Sequence, residues 1–111
     1  MATALNVFKT VTATITTTNS TVYTAPSGYT GIILMAQITN ITGSSASVTM
    51  TYFDGASTET ELLKNFGIPG NDSVSGLTGK LVLQTGSSLK TVASANSTFK
   101  IVLSIVESAD E

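Results

Sequence analysis

The sequence predicts an all-β protein: one antiparallel β-sandwich, jelly-roll-like, with about eight strands in a single domain over residues 1–111. Three observations predict this. Apolar residues recur at every second position in most segments, turn-forming residues separate the segments at spacings of roughly 8–12 residues, and no segment has the apolar stripe of a long helix. A chain of 111 residues has room for one core.

The first half of the chain predicts four strands. In the first strand, apolar residues take odd positions and Thr takes even ones: Leu5, Val7, Val11, Ala13 and Ile15 against Thr10, Thr12, Thr14 and Thr16. A short strand over 22–24 ends at the Pro and Gly turn of 26–28. Residues 31–40 are apolar on both faces at first, which predicts a strand covered on two sides. Together with the alternating residues 46–53 they predict a hairpin around the turn 43–45.

The second half is less regular. Residues 58–66 fit either a capped helix, because Thr58 and Glu61 match a capping box, or a short strand, and the strand is favoured. Residues 67–79 contain one Pro and four Gly, which predicts a long surface loop. Residues 80–85 and 89–93 predict a late hairpin, and a final strand places Phe99, Ile101, Leu103 and Ile105 inward.

Composition limits the chemistry that the chain is expected to perform. It contains no Cys, His or Trp, so it lacks thiolate ligands and the commonest general base, and no enzymatic activity and no cofactor are expected. Charged residues are 11% of the chain and the net charge is −2, which disfavours nucleic acid as a partner. Ser and Thr make up close to a third of the residues, so hydroxyls are expected to form much of the surface.

One short motif suggests catalysis on first inspection. Ser87 and Lys90 have the Ser-x-x-Lys spacing of serine acyl-transfer enzymes, which place the two residues one turn apart on a helix. On a strand, residues three apart point to opposite faces, so the amine and the hydroxyl are expected to diverge. The favoured interpretation is a hairpin turn.

Acidic and amide side chains offer a second candidate chemistry. Asp54, Glu59 and Glu61, or Asn71 with Asp72, supply oxygen ligands but match no calcium-loop spacing, so no bound metal is expected. Four Asn residues head Asn-x-Ser/Thr sequons and are interpreted as turn residues: Asn19, Asn40, Asn71 and Asn96.

The best candidates for partner contact lie around the predicted loop 67–79, because functional residues concentrate on loops. The proposed contact residues are Tyr29, Phe66, Ile68, Pro69, Asn71 and Asp72.

The two ends of the chain give two further expectations. The start lacks the basic and continuous apolar regions of a signal peptide, and no apolar run approaches the roughly 20 residues that span a bilayer, so a soluble protein without a membrane partner is expected. The segment 107–111, with three acidic residues, fits either a flexible tail or an interface contact, and the flexible tail is favoured.

Three segments resemble small all-β virion proteins of tailed bacteriophages. They read VYTAPSGYTGIILMAQITNITGSSASVTMTYFD, GIPGNDSV and GKLVLQTGSSLKTVASANSTFKIVLSIVE. They share that group's Tyr-x-x-Pro-x-Gly turn before an apolar strand, its Gly/Ser hairpin, its Ile-Pro-x-x-x-Ser loop and its final Leu-x-Leu-x-x-Gly-x-Ser hairpin. Ser87 stands where the group usually has an acidic residue. The resemblance implies a non-enzymatic virion component made in the host cytoplasm.

The resemblance leaves two roles open. One is a capsid decoration subunit, a homo-oligomer that docks on the lattice of the major capsid protein. The other is a tail, baseplate or fibre module that binds a host surface glycan or protein.

Overall fold

A computed structural model describes residues 6–77 and 79–109 of the chain. Within them, two antiparallel sheets pack face to face, which confirms the predicted β-sandwich. The described residues include no helix that is long and apolar enough to cross a membrane. Leu5 of the first predicted strand and Asp110 and Glu111 of the predicted tail lie outside the described residues. The strands are β1 Asn6–Ile15, β2 Ser20–Thr24, β3 Tyr29–Asn40, β4 Ala46–Phe53, β5 Glu59–Ile68, β6 Ser73–Ser75, β7 Leu81–Leu83, β8 Ser88–Ala93 and β9 Phe99–Ala109.

The two sheets, here sheet A and sheet B, are built from strands that interleave along the chain. Sheet A has the order β1-β9-β3, with the short strands β6 and β7 both paired to the free side of β3. Sheet B has the order β2-β8-β4-β5. Among the described strands, β4 and β5 form a hairpin and β6 is followed by β7 in the same sheet, while each of the other connections crosses between sheets.

Two predicted hairpins are therefore wrong. Strands β3 and β4 belong to different sheets, and so do β7 and β8, so the turns 43–45 and 84–87 carry the chain from one sheet to the other. The same Gly and Ser residues reverse the chain in a hairpin and in a crossing between sheets, so the turn sequence does not distinguish the two.

The strand favoured for residues 58–66 is confirmed, because β5 spans Glu59–Ile68. The prediction of one long loop over 67–79 is wrong, since β5 continues to Ile68 and β6 lies inside the segment. Pairing of β5 with β4 is irregular at two places, and Asn65 there has a φ of 45°. The Asn65 amide donates to the hydroxyl of Thr49, 2.9 Å away, so a buried side chain on β4 supports this bulge.

The core lies between the sheets and depends on β9. This strand pairs with β1 on one side and β3 on the other, and its predicted inward residues Phe99, Ile101, Leu103 and Ile105 are all buried. On β3, residues 31 and 33 face the core, and after a bulge at Leu34 the even residues 36, 38 and 40 do so. One extra residue thus reverses which side chains of β3 point inward.

A polar contact ties the sheets together near one end of the core. The hydroxyl of Tyr23, on sheet B, donates to the Glu107 carboxylate on β9, with the oxygens 2.6 Å apart. Lys9 Nζ lies 3.2 Å from the same carboxylate. Burial, and then the hydrogen bond and negative charge of Glu107, raise the pKa of Tyr23 far above its usual value, so the phenol stays protonated.

The prediction of a flexible tail is wrong for residues 107–109. They belong to β9, and Glu107 is buried. The alternation of β9 places position 107 on the same inward face as Ile105, where Tyr23 and Lys9 provide partners for the carboxylate.

Gly31 makes this contact possible. It is paired with Glu107, and a Cβ added to it would lie 2.7 Å from the Tyr23 hydroxyl oxygen.

We expect Gly31→Ala to lower the free energy of unfolding by about 1–3 kcal/mol, because the Tyr23 ring must move away from the Glu107 carboxylate. Urea denaturation measures this. Gly67→Ala is the matched control, since it also lies in a strand but has open space at its Cβ. Equal stability of the two variants would contradict the packing argument.

Candidate interaction surface

The outer face of sheet A, which points away from the core, carries a continuous apolar row. Strand register aligns four side chains side by side across four strands: Phe8, Val106, Ile32 and Val82. Phe8 is 76% exposed and Val82 is 53% exposed, while the two between them are partly buried. We call these four residues the apolar row.

The bulge in β3 widens the apolar surface. Leu34 and Met35 both lie on the exposed side, at 40% and 38% exposure. Phe8 and Leu34 border a shallow groove over β9 that also includes Thr10 and Ser104. The sequence predicts that this part of β3 is covered on both faces, whereas no described strand covers its outer face, where Leu34 and Met35 are exposed.

The rest of the outer face is polar but almost uncharged. The paired residues beyond the apolar row are hydroxyls and two amides, with one partly buried apolar residue, Val102, among them: Asn6, Thr10, Thr12, Thr14, Thr30, Gln37, Thr39, Ser73, Ser75, Ser104 and Ser108. Lys100 is the one charged side chain among the described residues paired on this face. The described acidic residues lie elsewhere, with Asp54 and Asp72 in loops, Glu59 and Glu61 on β5, and Glu107 in the core.

The outer face of sheet B differs in its chemistry. Lys90 on β8 reaches across β4 to Glu59 on β5, with Nζ 3.3 Å from the carboxylate oxygen. The same Nζ lies 4.2 Å from the centre of the Phe53 ring. Ion pairs and cation–π contacts of this kind remain favourable in water. Lys90 thus has two partners on the outer face of sheet B, whereas Phe8 and Val82 on sheet A remain more than half exposed.

The sequence-predicted contact residues are separated by the fold. Tyr29 begins β3, whereas Asn71 and Asp72 lie beside the end of that strand, a distance of roughly 36 Å for an extended strand of this length. Phe66 is 42% exposed on β5, and Ile68 is 1% exposed in the core. The six residues therefore do not form one surface, and the Ile68 side chain is not at the surface at all.

The loops at the Asn40 end of β3 pack backbone against backbone. The backbone N–H of Asn71 donates to the Thr42 carbonyl, and the backbone N–H of Asn40 donates to the Asp72 carbonyl. Gly70 is required at its position, because an added Cβ would lie 2.4 Å from the carbonyl carbon of Gly43. This packing leaves the side chains of Pro69, Asn71 and Asp72 exposed at one end of the sandwich.

Asn40 organises this end, which sequence reasoning missed by treating it as one turn residue among four. Its side chain is fully buried and makes four hydrogen bonds. The amide nitrogen donates to the carbonyls of Ser44 and Ile68, and the amide oxygen accepts from the backbone and hydroxyl of Thr42. The missed signal is its position, since it continues the inward alternation of Ala36 and Ile38.

Ser87 and Lys90 contact opposite faces of sheet B, as strand geometry predicts. The Ser87 hydroxyl is buried, 3.3 Å from the Tyr52 hydroxyl and 3.4 Å from the Asp54 carbonyl. Lys90 instead contacts the ring of Phe53, the next residue of β4 after Tyr52. Consecutive strand residues point to opposite faces, so the two side chains diverge.

Asp54 closes the turn between β4 and β5. Its Oδ1 accepts three backbone amides, from Ala56 at 2.9 Å, Ser57 at 3.0 Å and Thr58 at 3.1 Å. These bonds, with the Ala56 and Thr58 amides foremost, lower the pKa of the Asp54 carboxyl. In the described part of the chain, no three acidic side chains meet in a group able to hold a metal ion.

Comparison with known proteins supports the fold alone. No protein-family model matches the chain, and no curated protein matches it. Its structure is similar to that of Bacillus endospore appendages, which form a family of disulfide-linked pili, with a TM-score of 0.60 and 13% identity over 96% of this chain and 88% of that chain. This likeness shows a shared fold.

Two structures of a pentameric capsid protein isolated from metagenomic phage sequences are also similar. Each has a TM-score of 0.45 and 19% identity over 91% of this chain, which spans 63% and 62% of their lengths. Their TM-scores are too low to support an inference.

Removing the Asn40 side chain tests its role as the organiser of the loop end. We expect Asn40→Ala to lower the free energy of unfolding by about 2–3 kcal/mol, because the buried Ile68 carbonyl loses its partner. Asn96→Ala is the control, since that exposed side chain accepts one bond, from the Thr17 amide, and its loss is expected to cost under about 1 kcal/mol. Chemical denaturation compares them, and similar losses would contradict the role of Asn40.

The lowered pKa of Asp54 predicts a pH-dependent contribution to stability. The ionised carboxylate stabilises the folded chain at pH values above 3.8, the pKa of an Asp carboxyl in the unfolded chain. This stabilisation is lost as the pH falls below 3.8 towards the lower pKa of the folded chain. Asp54→Asn is therefore expected to lower the melting temperature at pH 7, with a difference from wild type that shrinks at pH 3. Asp72→Asn, which alters an exposed carboxylate that accepts one backbone amide, is the control and is expected to show a smaller difference at pH 7. A difference for Asp54→Asn that does not depend on pH would contradict the assignment.

Proposed function

We propose that this chain is a non-enzymatic structural subunit of a virion, and specifically a capsid decoration subunit that forms homo-oligomers and docks on the capsid lattice. The observation that carries the proposal is the outer face of sheet A, where the apolar row and the bulge residues Leu34 and Met35 stay exposed in the single chain. A contiguous exposed apolar patch on a small domain marks an interaction site.

The composition of that face supports a protein partner. Interfaces are depleted in charge at their centre and polar at their rim, and here an apolar row is bordered by Thr and Ser with Lys100 at the far end. A nucleic acid partner is not supported, because one Lys on a face offers little to a phosphate backbone.

The fold and the sequence resemblance support the structural role. The interleaved strand order of the two sheets suits a jelly roll, the architecture of many viral capsid domains. The chain shares its fold with a chain of disulfide-linked pili, which are also structural assemblies. This chain contains no Cys, so disulfides between its residues cannot link the subunits of the proposed oligomer.

The residues that suggested catalysis have structural explanations. Ser87 is buried against Tyr52 and the Asp54 carbonyl, and Lys90 is held between Glu59 and Phe53. Neither arrangement places an amine beside a hydroxyl. Function through contact alone needs no chemistry, because a subunit that binds one lattice state stabilises that state by mass action.

A tail, baseplate or fibre module that binds a host surface is the second candidate. It is favoured by the exposed loop end, where the side chains of Pro69, Asn71 and Asp72 are exposed on a hydrogen-bonded backbone. Rigid loops on a sandwich are common recognition sites.

Locating the chain on purified particles tests the proposal. We expect reconstruction or immunogold labelling to place many copies on the head, in a regular arrangement on the lattice. Copies confined to the tail would overturn decoration and favour the second candidate. Absence from the particle would overturn the virion role altogether. An antibody against the major capsid protein serves as the labelling control.

A further inference from the structure

The first half of β3 has the sequence of a strand that is buried on both faces. Ile33 packs in the core, while its neighbours Ile32 and Leu34 point outward. Strands with apolar residues on both faces normally lie between two layers. No described residue forms a second layer over this face, so the pattern indicates a cover that the described part of the chain does not supply.

The missing cover must match a row that crosses four strands. Phe8 on β1 and Val82 on β7 mark the two ends of the apolar row, and both are more than half exposed. Because the row crosses the sheet at a right angle to the strands, a single bound strand or loop running along β3 contacts only part of it. A second sheet face spans the whole row, as sheets in sandwiches pack face to face about 10 Å apart.

Charge argues for an identical partner. A face rich in charge repels its own copy, but this face has Lys100 as its one charged side chain among the paired residues described. Hydroxyl groups both donate and accept hydrogen bonds, so a surface lined by Thr and Ser is complementary to itself. The face offers no charge pattern that would select an oppositely charged partner instead.

The size of the face is also sufficient. Four strands about 4.8 Å apart, followed from Asn6 to Thr14 at about 3.4 Å per residue, cover roughly 20 by 30 Å, or roughly 600 Å². Two such faces bury about 1,200 Å² together, which reaches the lower limit of stable, specific protein interfaces.

We propose that a second copy of this chain covers the outer face of sheet A, with the apolar row of each copy at the centre of an isologous dimer. The inference rests on the proposed function in one respect, because it takes this face as the interaction surface and names its occupant. The same patch serves on both copies, as expected for two-fold symmetry.

Sedimentation velocity of the purified chain across low to high micromolar concentrations tests the proposal. The wild type is expected to dimerise, and Phe8→Asp is expected to weaken the dimer by about tenfold or more, because two carboxylates enter an apolar contact. Val82→Asp is a second variant at the other end of the row. Phe66→Asp is the matched control, since Phe66 is also an exposed Phe, at 42% exposure, but lies on β5 of the other sheet, and this variant is expected to dimerise as wild type does.

The outcomes separate the two proposals. A wild-type chain that stays monomeric overturns the second copy as occupant, as does a dimer that withstands both charged variants while their urea denaturation matches wild type. If the wild type is monomeric and Phe8→Asp still abolishes attachment to particles, the face binds a virion partner and only the dimer is refuted. If the wild type dimerises through this face but is absent from particles, the virion role fails and the dimer stands.

Discussion

The pairing of β3 with β9 is the interaction on which the rest of the structure depends. It runs from Tyr29 opposite Ala109 to Asn40 opposite Phe99, and no other described strand pair is as long. One end of this ladder brings Gly31 beside Glu107, where the two sheets are tied by Tyr23. The other end delivers Asn40 to the loops that it closes. A shift of one residue would move the buried side chains of β3 to the outer face.

The bulge at Leu34 lets β3 place apolar side chains both in the core and on the outer face of sheet A. Before it, Ile33 faces the core and Ile32 joins the apolar row; after it, Ala36 and Ile38 face the core. Without the extra residue, the inward positions would fall on Met35 and Gln37, which would place an amide in the core. Bulges that redirect side chains commonly occur at functional sites. The same residue that keeps the core apolar thus exposes Leu34 and Met35 outside it.

Strand existence could be predicted from the sequence because period-two alternation is a local consequence of the strand backbone. Pairing could not, because turns such as 43–45 and 84–87 carry the same residues whether they join two strands of one sheet or cross between sheets. Asn40 and Glu107 were misjudged for a related reason. Their residue types suggested turns and tails, whereas their places in the alternation of β3 and β9 put them inside. Whether a polar residue is buried depends on hydrogen-bond partners that are distant in the sequence, and a single sequence does not reveal these.

The outer faces of the two sheets differ in the contacts that the described residues make there. On sheet B, Lys90 and Glu59 form an ion pair across the outer face, and Lys90 also contacts the Phe53 ring. Among the described residues no such contact covers the apolar row of sheet A, and a second copy of the chain is the proposed means by which the row leaves water. Exposed Phe8 is a liability in an isolated subunit, since apolar patches promote uncontrolled association. A dimer contact that covers the row removes this liability and makes the stability of the fold depend on assembly, which suits a chain whose proposed task is to remain in place.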